Sequence, residues 1–156
     1  AIRSNVSDEF IIGLRFSQWK QQDYSARLAV NPDDLLKVLS GPCDAGLDYL
    51  HSSMRRFWES EFEGSDENLA YWTKKLTNIP TISVGSVGLD GDFTDMMASA
   101  KTTSIDKALK DIDEQKYDMV AVGRALLSDY EWVIKMKEGR LKDIKPYTKE
   151  SLLEMY

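Results

Sequence analysis

The sequence predicts an α/β fold with four βα units and a parallel sheet, and three observations lead to that class. Short apolar runs recur four times along the 156 residues. A turn and then a helical spacing of apolar residues follow each run, which is the pattern of βα units. The runs are also nearly continuous, as expected of strands that are covered on both faces.

The four apolar runs are the predicted strands. They span 10–16 (FIIGLRF), 47–52 (LDYLHS), 81–86 (TISVGS) and 118–123 (DMVAVG). Apart from this rhythm the chain has no internal repeat and no low-complexity segment.

The helix after the first run has the clearest start. Asn31 can cap it, and Pro32 suits its first position. Gly41-Pro42 predicts a kink or an early stop, because proline lacks an amide donor and clashes with the preceding turn. We expect the helical path to resume as far as Ala45.

Three further helices are predicted from apolar spacing. One opens near Ser65, one opens at Ser104, and the last spans 124–137 and stops before Gly139. Thr148 is expected to cap a short terminal helix. The apolar positions of the first of these helices are Leu69, Trp72 and Leu76, and those of the second are Ile105, Ala108, Leu109 and Ile112. In the third helix, four apolar residues are expected to face inward: Leu127, Trp132, Val133 and Met136.

Composition and charge limit the class of protein. Apolar residues make up 42% of the chain and charged residues 29%, which fits one globular domain. The formal charge of −6 and the lack of a basic stripe argue against nucleic acid as a partner. Cys43 is the only cysteine, so an intrachain disulfide and a cysteine-built zinc site are excluded, which predicts a reducing, cytoplasmic setting. No apolar run approaches the roughly 18–20 residues of a spanning helix, so no membrane partner is expected.

The ends of the predicted elements also bear on domain organisation. Residues 1–10 (AIRSNVSDEF) read like the end of a helix that runs into a strand, so we expect residues 1–156 to form a single partial domain. Two connections, 53–64 and 88–103, are long for a βα unit. Connections of this length usually carry function or mobility.

Polar residues or glycine stand at the carboxyl end of every predicted strand. The ends are 15–17 (RFS), 51–53 (HSS), Gly85-Ser86 and Gly123-Arg124. Ligands of parallel α/β folds and of β/α barrels bind at this edge, and barrels usually hold phosphate after their last two strands. A turn with exposed N–H groups at Gly85-Ser86 and a guanidinium at Gly123-Arg124 favour that phosphate site. The alternative is that the glycines serve only the turns and Arg124 pairs with an acidic neighbour.

Most of the other candidate residues allow two interpretations. Arg15 ends an apolar strand, where it either forms a structural ion pair or holds negative charge that develops on a ligand. His51, the sole histidine, either transfers protons or is a satisfied structural residue. Cys43 is interpreted as a small core residue. One aromatic cluster is either a lid over a ligand or packing under a long loop: Phe57, Trp58 and Phe62.

Four motifs, in order along the chain, carry a resemblance to a known family. They are 13–17 (GLRFS), 44–53 (DAGLDYLHSS), 84–88 (VGSVG) and 118–127 (DMVAVGRALL). Together they resemble the second half of Old Yellow Enzyme-type NAD(P)H:flavin oxidoreductases over nearly the whole chain. The resemblance implies the C-terminal half of a (β/α)8 TIM barrel, since a complete barrel takes about 250 residues and eight strands.

The resemblance also implies a chemistry. Members of this family bind FMN, which NADH or NADPH reduces and which then passes a hydride to the activated alkene of a small electrophile. By resemblance, Arg15 would lie near the N1 and O2 edge of the flavin and stabilise the reduced ring. The residues that would hold the FMN phosphate are Gly85, Ser86, Gly123 and Arg124.

The part of the family's barrel that these motifs do not cover supplies further groups. Its first four strands provide contacts to the flavin ring, a histidine-histidine or histidine-asparagine pair for the substrate oxygen, and usually a tyrosine proton donor. We therefore expect a C-terminal fragment that is inactive alone and whose partner is the N-terminal half or another copy. Two alternatives stay open: an assembly module without its own catalysis, and a phosphosugar-binding β/α-barrel enzyme that uses the same phosphate site without flavin.

Overall fold

Four parallel strands form one sheet in the order β1-β2-β3-β4. The computed structural model describes residues 2–20, 22–91 and 98–153, so residues 92–97 of the second long connection lie outside the described part. The strands are β1 (Gly13–Ser17), β2 (Tyr49–Ser53), β3 (Thr81–Val84) and β4 (Met119–Val120). Each strand overlaps a predicted run, although β1 begins at Gly13 rather than at residue 10. The predicted α/β class with a parallel sheet is confirmed.

Helices follow each strand, as the βα rhythm predicts. They are α1 (Pro32–Asp44), α2 (Leu69–Thr77), α3 (Asp106–Asp113), α4 (Arg124–Ser128) and α5 (Trp132–Lys137). Short 3-10 helices span Arg3–Asn5, Leu141–Asp143 and Lys149–Leu152. Within the described residues, no helix has both the length and the apolar character needed to cross a bilayer.

Helix α1 passes through its proline instead of stopping there. Pro42 lies inside the helix, which ends at Asp44 with Ala45 as its cap. Of the two expectations at Gly41-Pro42, a kink or an early stop, the early stop is therefore wrong, while the expected end at Ala45 is right. The proline falls in the last turn, where Ala45 N still donates to Gly41 O at 3.1 Å and closes the helix.

Helix α2 begins later than the spacing predicts. It starts at Leu69 rather than near Ser65, because the Asn68 side chain caps it and accepts a hydrogen bond from Tyr71 N at 2.9 Å. A side-chain cap determines the first residue of a helix, whereas apolar spacing locates that residue only to within several positions.

The predicted helix 124–137 is two helices, α4 and α5, separated at Asp129. The buried Asp129 carboxylate accepts hydrogen bonds from the Lys135 ammonium at 2.7 Å and from the amides of Lys145 at 3.0 Å and Glu131 at 3.1 Å. Because the helix axis is broken at Asp129, α4 and α5 bury different faces. Trp132 is 3% exposed as expected, but Leu127 and Val133 are 43% and 56% exposed, so their assignment to the interior is wrong.

Helix α3 also buries a narrower stripe than its spacing suggests. Ala108 and Asp111 are its buried residues, while Leu109 is 51% exposed. Asp111 is buried because the Lys107 ammonium and the Tyr117 hydroxyl both donate to its Oδ2. Thr148 occupies the position before the last 3-10 helix, as expected.

The two faces of the sheet lie in different surroundings. On the side that packs against the helices, the side chains at four strand positions are fully buried: Leu50, Ser52, Thr81 and Ser83. Ser52 Oγ donates to Thr73 Oγ1 of α2 at 3.0 Å across this interface. We call the other side the open face; it carries Gly13, Arg15, Tyr49, His51, Ile82 and Met119, none of which is fully buried.

The open face is only partly covered among the described residues. Parallel sheets normally have both faces covered, and closing a barrel over this face would cover it. At its amino-terminal end the ring of Tyr49 lies against Gly13 and occupies the place of a Cβ at that position. At its carboxyl end the strands lead into the loops that form the candidate site.

Candidate functional site

A cavity of about 220 Å³ lies at the carboxyl edge of β1, β2 and β3 and at the start of α4. All five residues predicted as site residues line it: Arg15, Gly85, Ser86, Gly123 and Arg124. The rest of the wall comes from Ser53, Met54, Val84, Val87 and Leu89. Among the described residues, the lining contains two arginines and no carboxylate, so this part of the cavity suits an anionic group.

Gly85 brings the end of β3 against the loop that follows β2. A Cβ at this position would lie 2.8 Å from Met54 O and 3.1 Å from Arg56 N, both of which are backbone atoms. The two segments are joined by hydrogen bonds from Met54 N to Val84 O and from Phe57 N to Gly85 O, both at 3.0 Å. Glycine is therefore required here by the close approach of two backbones.

Ser86 is fixed in a left-handed conformation with φ of 50°. Its Oγ lies 3.0 Å from the carbonyl oxygens of Arg55 and Gly91. The Arg124 guanidinium donates to the same Gly91 carbonyl and stacks on the Tyr147 ring at 5.1 Å. The peptide of Gly91 thus ties the two turns together.

Gly123 opens the cavity toward the start of α4. It is exposed, and a Cβ built on it would meet nothing within 4 Å. The first amides of a helix have no partner within the helix, so α4 directs N–H groups at this point. A ligand with phosphate oxygens would find backbone donors and a guanidinium on the same side.

Arg15 projects from the open face at the end of β1. Its Nη2 donates to Ser53 Oγ at 3.1 Å, and Ser17 Oγ donates to Ser53 O at 3.0 Å. Arg15 is exposed on its strand, and in the described part of the chain its side chain contacts this neutral hydroxyl rather than a carboxylate. The interaction holds the guanidinium at the cavity without an acidic partner among those residues, which favours the ligand-binding interpretation.

His51 lies beside Arg15 on the open face, where the strand register pairs the two residues. Its Nε2 is buried and has no hydrogen-bond partner among the described residues, so the satisfied structural role does not hold. Burial lowers the pKa of His51, and the charge of Arg15 lowers it further. A neutral imidazole is therefore favoured next to the cavity.

The aromatic cluster and Cys43 are packing residues. Phe57 and Phe62 are 3% and 7% exposed and belong to the core, while Trp58 packs edge-on against Phe57 at 5.2 Å. Cys43 packs against the same core, and burial raises the pKa of its thiol. Burial of this kind keeps a thiol protonated and unreactive.

Ser53 is the residue that sequence reasoning missed. It appears only as part of the polar end of the second predicted strand, yet it lines the cavity and positions Arg15. The sequence signal that could have identified it is the alignment of the first two predicted strand ends, because neighbouring parallel strands place side chains of the same face side by side.

Two curated relatives are about one-third identical to this chain over the matched region. One is the NADH oxidase of Thermoanaerobacter brockii, 33% identical over an alignment of 152 residues that covers 92% of this chain and 20% of that protein. The other is the probable NADH-dependent flavin oxidoreductase YqiG of Bacillus subtilis, 32% identical over 160 residues, with 100% of this chain and 38% of that protein covered. No family model matches the chain.

The chain is similar to members of the Old Yellow Enzyme-type NADH:flavin oxidoreductase family, which the two relatives support. It spans less than two fifths of the length of either of these two family relatives. The family resemblance that the four sequence motifs indicate is confirmed.

Two solved structures share the fold of this chain. Two structures of morphinone reductase, one of them in complex with tetrahydroNAD, match with TM-scores of 0.53 and 0.52 at 15% identity. They cover 81% of this chain and 28% and 29% of the morphinone reductase chains. At this identity the likeness concerns the fold alone: the four βα units match part of a TIM barrel.

Proposed function

We propose that this chain supplies the FMN-binding, C-terminal half of an NAD(P)H-dependent oxidoreductase of the ene-reductase type. The observation that carries the proposal is the single cavity that Arg15, Gly85, Ser86, Gly123 and Arg124 line together. The names of the two curated relatives, which contain NADH and flavin, support the same chemistry. When bound, FMN would accept a hydride from the nicotinamide and deliver it to the activated alkene of a small electrophile.

The residues of the cavity have distinct proposed roles. Gly85, Ser86 and Gly123 would present backbone N–H groups to the phosphate, and Arg124 would add a charge-assisted contact. Arg15 would place positive charge beside the ring edge where negative charge develops. The two arginines among the described lining residues support this assignment, because their positive charge attracts a phosphate.

The open face supports a second part of the proposal, that residues 1–156 are a partial domain. We propose that an N-terminal half of four further βα units covers this face and completes the barrel, and that it supplies the substrate-binding groups. The relatives' greater length is consistent with such a half. We therefore expect no turnover from the chain alone.

The open face also supports the second candidate function, an assembly module. A half-barrel with an uncovered face and two sheet edges favours pairing with a missing half or with a second copy. In that case the cavity would serve the assembled protein and the chain would have no catalysis of its own. A phosphosugar-binding enzyme would share the phosphate site, and visible flavin absorbance in the purified protein separates it from the flavoprotein.

The test of the cofactor site is Arg124→Ala in the protein expressed from its complete reading frame. A charge-assisted hydrogen bond contributes about 1.5–3 kcal/mol, so FMN binding should weaken roughly 10- to 150-fold. Equilibrium dialysis against FMN measures the change.

The matched control is Arg140→Ala. Arg140 is an exposed arginine that pairs with Glu138 after α5, away from the cavity lining. This variant should bind FMN as the parent protein does. Unchanged FMN affinity in a folded Arg124→Ala variant would contradict the phosphate site.

A further inference from the structure

The segment that follows α5 packs beside Arg124 at the start of α4. Tyr147 lies in this segment and is fully buried. Its backbone forms a short antiparallel bridge with Ala100: Ala100 N donates to Tyr147 O at 2.9 Å, and Tyr147 N donates to Ala100 O at 3.0 Å. The backbone of Tyr147 is therefore fixed to the connection between β3 and α3.

This connection also contacts the cavity. Gly91 lies against Ala100, because a Cβ built on Gly91 would be 3.3 Å from the Ala100 Cβ. The carbonyl oxygen of the same Gly91 accepts hydrogen bonds from Ser86 Oγ and from the Arg124 guanidinium. The bridge at Tyr147 thus supports the peptide that both cavity residues contact.

A buried carboxylate anchors the segment that carries Tyr147. Asp129 is 2% exposed, and its Oδ2 accepts hydrogen bonds from Lys145 N at 3.0 Å and from the Lys135 ammonium at 2.7 Å. Lys145 stands two residues before Tyr147. The path of the chain into Tyr147 is therefore fixed by hydrogen bonds in the interior of the protein.

The ring of Tyr147 contacts Arg124 directly. The Arg124 Cζ atom lies 5.1 Å from the ring centroid, which is within the range of a cation–π interaction, about 6 Å. Because the ring is buried, water competes less for the cation than at an exposed ring, and the attraction is stronger. A guanidinium that lies on a ring face keeps its N–H groups directed sideways, where phosphate oxygens can accept paired hydrogen bonds.

We propose that Tyr147 is a positioning residue whose ring holds the Arg124 guanidinium at the cavity, so that the protein prefers FMN to riboflavin, which lacks the phosphate. The inference rests on the proposed function, because Arg124 contacts a phosphate only if FMN occupies the cavity. Tyr147 is not among the described residues that line the cavity. It therefore acts on the cofactor through Arg124.

The experiment measures the dissociation constants of FMN and riboflavin by equilibrium dialysis, in the protein expressed from its complete reading frame. Tyr147→Leu removes the ring, and Tyr147→Phe keeps it. Loss of a cation–π interaction with a buried ring should weaken FMN binding roughly 5- to 30-fold in Tyr147→Leu, while riboflavin binding changes less than about twofold. Tyr147→Phe should bind both flavins as the parent protein does.

The matched control is Tyr117→Leu, which removes the other fully buried tyrosine ring of the described core. Tyr117 is 1% exposed, its hydroxyl donates to Asp111 Oδ2, and it is not among the described residues that line the cavity. This variant should keep the parent ratio of the riboflavin and FMN dissociation constants. An equal change of the ratio in Tyr117→Leu and Tyr147→Leu would overturn the inference.

A replacement that keeps the shape of the ring covers the case in which Tyr147→Leu does not fold. Pentafluorophenylalanine incorporated in place of Tyr147 has nearly the size of phenylalanine, but its fluorine atoms withdraw electron density from the ring face that attracts a cation. FMN binding should weaken relative to Tyr147→Phe, and riboflavin binding should stay the same.

The outcomes separate this inference from the proposed function. If the parent protein does not bind FMN, the proposed function is overturned and this inference with it. If the parent binds FMN and the leucine and fluorinated variants keep its ratio of riboflavin to FMN dissociation constants, only this inference is overturned. Equal losses of FMN affinity in Tyr147→Phe and Tyr147→Leu would also overturn it, because the first variant retains the ring.

Discussion

Two glycines show how differently the same residue type is used in this chain. Gly85 lies where a Cβ would come within 2.8 Å of the Met54 carbonyl oxygen, whereas a Cβ at Gly41, inside α1, would meet nothing within 4 Å. The first glycine is required by close backbone contact, and the second only adds conformational freedom to the unfolded chain.

This contrast gives a paired stability prediction. Gly85→Ala should lower the free energy of unfolding by about 1–3 kcal/mol, because the loop after β2 must move away from β3. Gly41→Ala should raise it by about 0.5–1 kcal/mol through better helix propensity. Urea unfolding of both variants measures the two changes, and a Gly85→Ala protein as stable as the parent would show that the two backbones separate without cost.

His51 gives a pH prediction at the same scale. Because burial and Arg15 lower its pKa in the folded chain, the unfolded chain binds a proton more readily. The contribution of His51 to stability is therefore present above the ordinary histidine pKa of about 6.5 and is lost as the pH falls through that value toward the lower folded pKa.

NMR titration of the sole histidine tests this directly. The pKa of His51 should lie below its ordinary value in the parent and should move upward in Arg15→Gln, which removes the neighbouring charge but not the burial. His51→Gln should remove this part of the pH dependence of unfolding. An ordinary histidine pKa in the folded parent would argue against a buried imidazole beside Arg15.

The candidate site residues could be selected from the sequence because of one geometric regularity. Parallel strands present their carboxyl ends at the same edge, so Arg15, Gly85-Ser86 and Gly123-Arg124 are expected to meet there. The hydrogen bond between Arg15 and Ser53 could not be predicted, because it depends on a side-chain rotamer. The contact of Ser86 and Arg124 with the same Gly91 carbonyl could not be predicted either, because the loop that holds Gly91 has no periodic pattern in the sequence.

Helix boundaries depend on side-chain caps that apolar spacing does not reveal. The break at Asp129 follows from its hydrogen bonds to the Lys135 ammonium and to two backbone amides, one of them Lys145, which is distant in sequence. Although burial alone would raise the pKa of Asp129, these partners lower it. In contrast, Asn31 and Pro32 were sufficient to locate the start of α1, because all the contacts of that cap are local.

The two asparagine caps give a matched prediction for the elements. Asn31 and Asn68 each accept a hydrogen bond of 2.9 Å from a first-turn amide, but Asn31 is exposed and Asn68 is buried and also donates to Phe57 O at 2.6 Å. Asn31→Ala should cost about 1 kcal/mol of stability. Asn68→Ala should cost about 1–3 kcal/mol more, because it leaves a buried carbonyl without its donor.

Denaturant unfolding of both variants measures that difference. The comparison is internal, since each substitution removes the same side chain from the same position of a helix. Equal losses of unfolding free energy in Asn31→Ala and Asn68→Ala would mean that the Phe57 carbonyl accepts a hydrogen bond from another donor or from solvent.

At the scale of the whole molecule, we expect the open face to control association. Two of its residues are apolar, Ile82 on β3 and Met119 on the short edge strand β4. Unpaired parallel edges next to apolar surface favour pairing with another chain. The isolated 156-residue chain should therefore self-associate as its concentration rises, as measured by sedimentation velocity.

A lysine on the open face should oppose this association. Met119 is 46% exposed, so Met119→Lys should reduce self-association with little loss of stability. Val38 on α1 is similarly exposed at 40%, and Val38→Lys serves as the control that should associate like the parent. A folded monomer at high concentration, in the parent chain, would contradict the assembly role of the open face.

Tyr49 and Gly13 have a consequence for how molecules would reach the interior of a completed barrel. The phenol ring occupies the lateral space that a side chain at position 13 would otherwise fill, at the end of the strands opposite the arginines. The ring would close the amino-terminal end of the barrel beneath the flavin and narrow any path for water from that end. The nicotinamide reductant and the electron acceptor would then have to enter and leave one after the other through the opening at the carboxyl end of the strands.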